Sequence, residues 1–130
     1  MPATRGLSIN ESELAPGRVA ESIDTYGPAV SAGQPCAERF SLLAEAADAL
    51  LADGIDVVVV GLPALDAFAA LHPDGADGWR QNLLDELAAM PAGVEIVDLT
   101  APLPDELFND AWHLTTDGRR QLTDQLAASL

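Results

Sequence analysis

The chain has 130 residues, 48% of them hydrophobic, and sets 21 Asp and Glu against six basic residues, all of them arginine, for a formal net charge of -15. That length suits one domain, which would bury roughly two-thirds of the surface its unfolded chain exposes. The apolar content excludes a disordered tail, no run is long and uncharged enough for a membrane span, and an acidic excess of this size repels nucleic acid phosphates and anionic lipid surfaces. Neither nucleic acid nor membrane is therefore an expected partner.

The acidity reads first as habitat, such as a high-salt cytoplasm or a high-GC genome, ahead of an acidic recognition face. Cys36 is the only cysteine, which rules out an internal disulfide and a multi-cysteine zinc site, and no cofactor is expected. Met1-Pro2-Ala3-Thr4-Arg5 has no apolar stretch like that of a secretory signal, so a cytoplasmic location is expected for the chain as it stands.

Residues 1–36 are rich in Ser, Gly, Pro and Glu and show no sustained period, apart from a helix-compatible stretch over residues 13–23. From residue 37 the pattern sharpens into an α/β domain that runs to residue 130, with no internal repeat or linker. Phe40, Leu43, Ala44, Ala47, Leu50 and Leu51 recur at the spacing of one helix face and Gly54 supplies a stop, which predicts a helix over residues 37–53. Ile55-Asp56-Val57-Val58-Val59-Val60-Gly61-Leu62-Pro63 is β-branched without alternation, as in a central parallel strand covered on both faces.

A long connection follows, with a short helix over residues 65–71 and a turn at His72-Pro73-Asp74-Gly75. A second amphipathic helix places Trp79, Leu83, Leu84, Leu87 and Ala88 on one side and ends before Pro91 and Gly93. Val94-Glu95-Ile96-Val97-Asp98-Leu99 is the second strand, and the strand-helix-strand order implies a parallel pair with a right-handed crossover. The last helix begins near Thr115, with Leu122, Leu126 and Leu130 expected to face the core.

Histidine is the side chain most readily used as a general base near neutral pH, and the chain has two. His113 follows the loop that leaves the last strand, where α/β folds place ligands. Asp110, three residues earlier, is placed to accept a hydrogen bond from the ring Nδ1–H, which would fix the tautomer and leave Nε2 free to take a proton. The plain alternative is that Asp110 caps the turn while His113 packs against Trp112 or caps the final helix. Likewise Trp112 either lines a pocket for an acyl group or a sugar or packs beneath the loop.

The segment of residues 54–130 resembles the C-terminal half of the SGNH (GDSL-like) hydrolases and their O-acyltransferase relatives. The resemblance is carried by Asp110-Ala111-Trp112-His113-Leu114-Thr115-Thr116-Asp117-Gly118, which matches the family's Asp-x-x-His block ahead of its C-terminal helix. Residues 57–63 and 93–99 look like its late strands. It implies a three-layer α/β/α fold with a short parallel sheet, incomplete here. It further implies an Asp110–His113 pair that activates a serine toward an acyl ester or an acylated carbohydrate.

The nucleophile is unassigned: no Gly-Asp-Ser is present, and Ser8, Ser12, Ser22 and Ser31 all lie in poorly patterned segments. Gly6-Leu7-Ser8-Ile9-Asn10 loosely resembles the family's glycine-to-asparagine block, which would make Asn10 an oxyanion donor; the other reading is an N-terminal tail. Cys36 as a thiolate partner of His113 and a metal at His72, Asp74 and Asp77 are set aside in favour of packing and turn chemistry. Asp98 either faces the site or satisfies loop amides, and Gly118 is expected to let the last helix approach the sheet. If the early strands are missing, the sheet offers an open edge, and a homodimer or a partner chain is expected there.

Overall fold

A computed structural model describes residues 17–33 and 36–130. Helices flank a short sheet of two parallel strands, β1 (Val58–Gly61) and β2 (Glu95–Asp98), in register Val58 with Glu95 through Gly61 with Asp98. The β-branched run thus forms the first strand as expected, but only its last part is laddered. With two strands among the described residues, β1 is paired on one side only, and Val58 is exposed rather than covered on both faces as a central strand would be. No helix among the described residues is long and apolar enough to cross a membrane.

Helix α1 (Arg18–Ser31) begins and ends later than the helix-compatible stretch of the sequence, and Pro28 lies inside it. It seats Val19, Ile23 and Val30 on a core of Ala64, Leu65, Phe68, Leu103, Phe108 and Ala111. Gly27 permits this approach, since a Cβ there would meet Leu71 Cδ1 at 2.9 Å. Helix α2 (Ala37–Ala52) buries a narrower stripe than its pattern promised: Ala47 is buried and Phe40, Ala44 and Leu51 half-buried, whereas Leu43 and Leu50 are exposed.

The short α3 (Asp66–Ala69) and α4 (Gly75–Ala88) form the crossover between the strands. Gly75 supplies the positive φ of 74° that ends the turn after His72, a conformation open to glycine at little steric cost. Leu87 of α4 reaches the sheet at Gly61, where a Cβ would meet its Cδ1 at 3.1 Å.

After β2, the chain makes a 3-10 turn at Asp105–Leu107, an isolated bridge between Phe108 and Leu114, and α5 (Thr116–Ser129). Thr115 caps α5, its Oγ1 accepting from the Gly118 N–H at 3.0 Å. Gly118 does allow a close approach, but to the 3-10 turn instead of the sheet, because a Cβ at 118 would lie 2.5 Å from the Leu107 carbonyl oxygen. Leu122 and Leu126 are half-buried, and Leu130 is 69% exposed, so the stripe expected to face the core stops short of its last residue.

Candidate functional site

The loop from Phe108 to Leu114 folds on itself before any long-range contact is counted. The Asn109 N–H donates to the His113 carbonyl at 2.7 Å, and Asp110 Oδ1 accepts from the N–H groups of Trp112 at 3.0 Å and His113 at 2.8 Å. A short carboxylate receiving the amides two and three residues on is the conformational preference that puts Asp in such turns. With Oδ1 so engaged, Oδ2 is directed at His113 Nδ1, 2.7 Å away.

Burial raises the pKa of the Asp110 carboxyl, but the two backbone N–H bonds and the His113 ring together outweigh it and hold the group below its ordinary value of 3.8. A carboxylate at Nδ1 keeps the ring proton there and leaves Nε2 as the basic nitrogen. No described residue hydrogen-bonds to Nε2. The His113 side chain is 65% exposed and that of Asp110 14%, so the base candidate is presented to solvent and its orienting acid is tucked beneath.

Beneath the loop, Ala111 is fully buried, its carbonyl accepting from the Leu65 N–H at 2.8 Å and its N–H donating to Ser22 Oγ at 3.0 Å. Trp112 lies edge-on to Tyr26, with ring centroids 4.7 Å apart, tilted against Phe68 at 5.6 Å and beside the His113 ring at 5.7 Å. Trp112 therefore packs against Tyr26 and Phe68 and borders the His113 ring while remaining 37% exposed.

Ser22 is the described serine that contacts this loop, and it does not serve as the nucleophile. Its hydroxyl proton is donated to the Val19 carbonyl at 2.9 Å, and the residue is 8% exposed. Ser31 is exposed at the end of α1. Ser8, Ser12 and Asn10 lie outside the described residues. Cys36 is exposed at the start of α2 and lines, with His72, Trp79 and Asn82, a cavity of about 300 Å³ that includes no residue of the Asp110 loop.

His72 is built differently. Its Nδ1 accepts from the Asp74 N–H at 3.1 Å, and its Nε2 lies 2.8 Å from Asn82 Nδ2; a neutral ring that accepts at Nδ1 carries its proton on Nε2, which the Asn82 amide satisfies once it is turned to bring its oxygen to that position. Asp77 pairs with Arg80. Among the described residues no group of three or more His, Cys, Asp or Glu could hold a metal ion. Asp98 satisfies its own loop, Oδ1 accepting from the N–H and hydroxyl of Thr100 at 2.9 and 2.6 Å.

Sequence reasoning singled out Asp110 and His113 but missed the support that α1 gives them. A signal was present: Val19, Ile23, Tyr26 and Val30 recur at helical spacing, and Ser22 shares their face. Comparison with protein-family models, with curated proteins and with solved structures finds no match to this chain.

Proposed function

We propose that this chain carries the acid-histidine part of an SGNH-like serine esterase or O-acyltransferase. Asp110 orients His113, and His113 Nε2 is the general base. The observation that carries this reading is the 2.7 Å contact between Asp110 Oδ2 and His113 Nδ1, joined to an exposed ring whose Nε2 has no hydrogen-bond partner among the described residues. A pair that served only to close the turn would not need Nε2 in solvent, because the turn is already closed by backbone amides on Oδ1.

In the reaction, Nε2 takes the hydroxyl proton of a serine as its oxygen bonds to the acyl carbon, then returns that proton to the leaving alcohol oxygen as the ester bond breaks. Water or a sugar hydroxyl next enters by the same proton route and releases the acyl group. The nucleophilic serine is unassigned, in this chain or in another, and Asn10 is the candidate oxyanion donor. In this reading β1 and β2 are late strands of a three-layer α/β/α sheet.

A second reading is a non-catalytic module that binds another chain along its sheet. It is favoured by the single-sided pairing of β1 and by the exposure of Val58 and Leu62 beside it. Fluorophosphonate labelling, read by intact mass, separates the two. Stoichiometric label on the wild type that is lost in His113→Ala supports the base role, and peptide mapping then identifies the serine. Folded wild-type protein that takes up no label sinks the enzyme reading for this chain alone and leaves the binding module.

A further inference from the structure

We infer that Ser22 is a positioning residue for the acid-histidine pair, acting through the backbone of Ala111. The role in turnover rests on the reading of His113 as a base; the structural role does not. Three successive N–H groups in the loop share two acceptors: Ala111 donates to Ser22 Oγ, and Trp112 and His113 both donate to Asp110 Oδ1. The last two bonds are internal to the turn and set its shape. The first reaches α1, 89 positions away in sequence, and sets where the turn sits.

The arrangement at Ser22 has a fixed polarity. Donation to the Val19 carbonyl three residues back consumes the hydroxyl proton and turns the lone pairs outward, so the oxygen meets Ala111 purely as an acceptor. Ala111 is wholly buried and its carbonyl is already held by the Leu65 N–H, so water cannot replace a lost acceptor at its amide without opening the loop. Rotation of this peptide would move Asp110 and Trp112, the residues on either side of it, and with them the carboxylate that orients the His113 ring. The Tyr26 ring, one helical turn beyond Ser22, holds Trp112 from the same helix. α1 thus fixes the loop at two adjacent residues.

Ser22→Thr and Ser22→Val test the role, because their side chains have nearly the same shape and differ in the hydroxyl. Nuclear magnetic resonance on the full chain reads the hydrogen-exchange protection of the Ala111 amide and the His113 Nδ1 proton, with the Ala47 amide in α2 reporting overall folding. Ser22→Thr is expected to keep both signals. Ser22→Val is expected to lose about tenfold in Ala111 protection, the order expected from one lost hydrogen bond, and to broaden the Nδ1 proton at unchanged Ala47 protection.

Wherever the wild type takes up the fluorophosphonate, the valine variant should also label about tenfold more slowly and the threonine variant should not. Equal Ala111 protection and equal Nδ1 signals in the two variants would overturn the proposal. A wild type that takes up no label but shows the Thr-Val difference at Ala111 and Nδ1 would refute the enzyme reading for this chain alone while leaving the positioning role intact.

Discussion

His72 and His113 each follow a parallel strand by a connection that contains proline, and each has an aspartate within three residues. They are nevertheless opposite in kind. His72 is 7% exposed and spends both ring nitrogens, one on the Asp74 amide and the other on Asn82. His113 spends one nitrogen on a carboxylate and turns the other to solvent. The aspartates explain the difference: Asp74 offers its backbone N–H to the ring, whereas Asp110 offers its carboxylate. A ring that accepts at Nδ1 must carry its proton on Nε2 and cannot be a base there; a ring that donates at Nδ1 can.

Asp110→Asn tests that distinction most severely. The amide can still accept the Trp112 and His113 N–H groups at Oδ1, so the turn persists. Its NH2 then faces Nδ1 and forces the proton to Nε2, the tautomer of His72. Fluorophosphonate labelling should fall by about 10⁴-fold, the scale of a wrong-tautomer loss, with the ring nitrogens reporting the switch by NMR. The carboxyl of Asp110 is held below 3.8, so the stability it contributes is present above the unfolded value and is lost as pH falls through the folded one. The gap in urea midpoint between wild type and Asp110→Asn should therefore narrow between pH 7 and pH 3. A gap independent of pH would show that the carboxylate's charge contributes nothing to the fold.

His72→Ala probes the other half of the comparison. It removes a buried ring, enlarges the neighbouring cavity and strands the Asp74 N–H and the Asn82 amide, at a cost of about 2–4 kcal/mol in urea unfolding. A loss below about 1 kcal/mol would mean that water takes the ring's place and that His72 is not a structural element.

Much of this organisation was readable in advance, and the failures have a common cause. The alternation of strand and helix, the β-branched run, the turn at His72 and the Asp-x-x-His spacing are local patterns, and each was found. The pairing of Ser22 with Ala111 spans most of the chain, and the helix that carries it contains Gly27 and Pro28, two residues that read as breakers. Leu43, Leu50 and Leu130 lie on apolar stripes that the periodicity marks as buried, yet a stripe is covered only where a neighbouring element exists to cover it. Periodicity specifies which face would be buried and is silent on whether anything lies opposite.

The smallest expected effect is the most discriminating. Of the three hydrogen bonds to the Asp110 carboxylate, two come from backbone N–H groups that survive any side-chain change at position 113. His113→Ala removes the third and an exposed ring, so its unfolding free energy should stay within about 0.5 kcal/mol of wild type, as for surface substitutions without a structural role. Asp110→Ala removes all three acceptor contacts and should cost about 1–3 kcal/mol, leaving two loop amides to find other partners. Equal losses from the two alanine variants in urea titrations would mean that the ring helps hold the turn together, and His113 would then belong with His72. Unequal losses, with the histidine nearly silent, would separate a side chain retained for chemistry from one retained for packing, because a structure that does not need the ring gives no reason for holding it at 2.7 Å from a half-buried carboxylate.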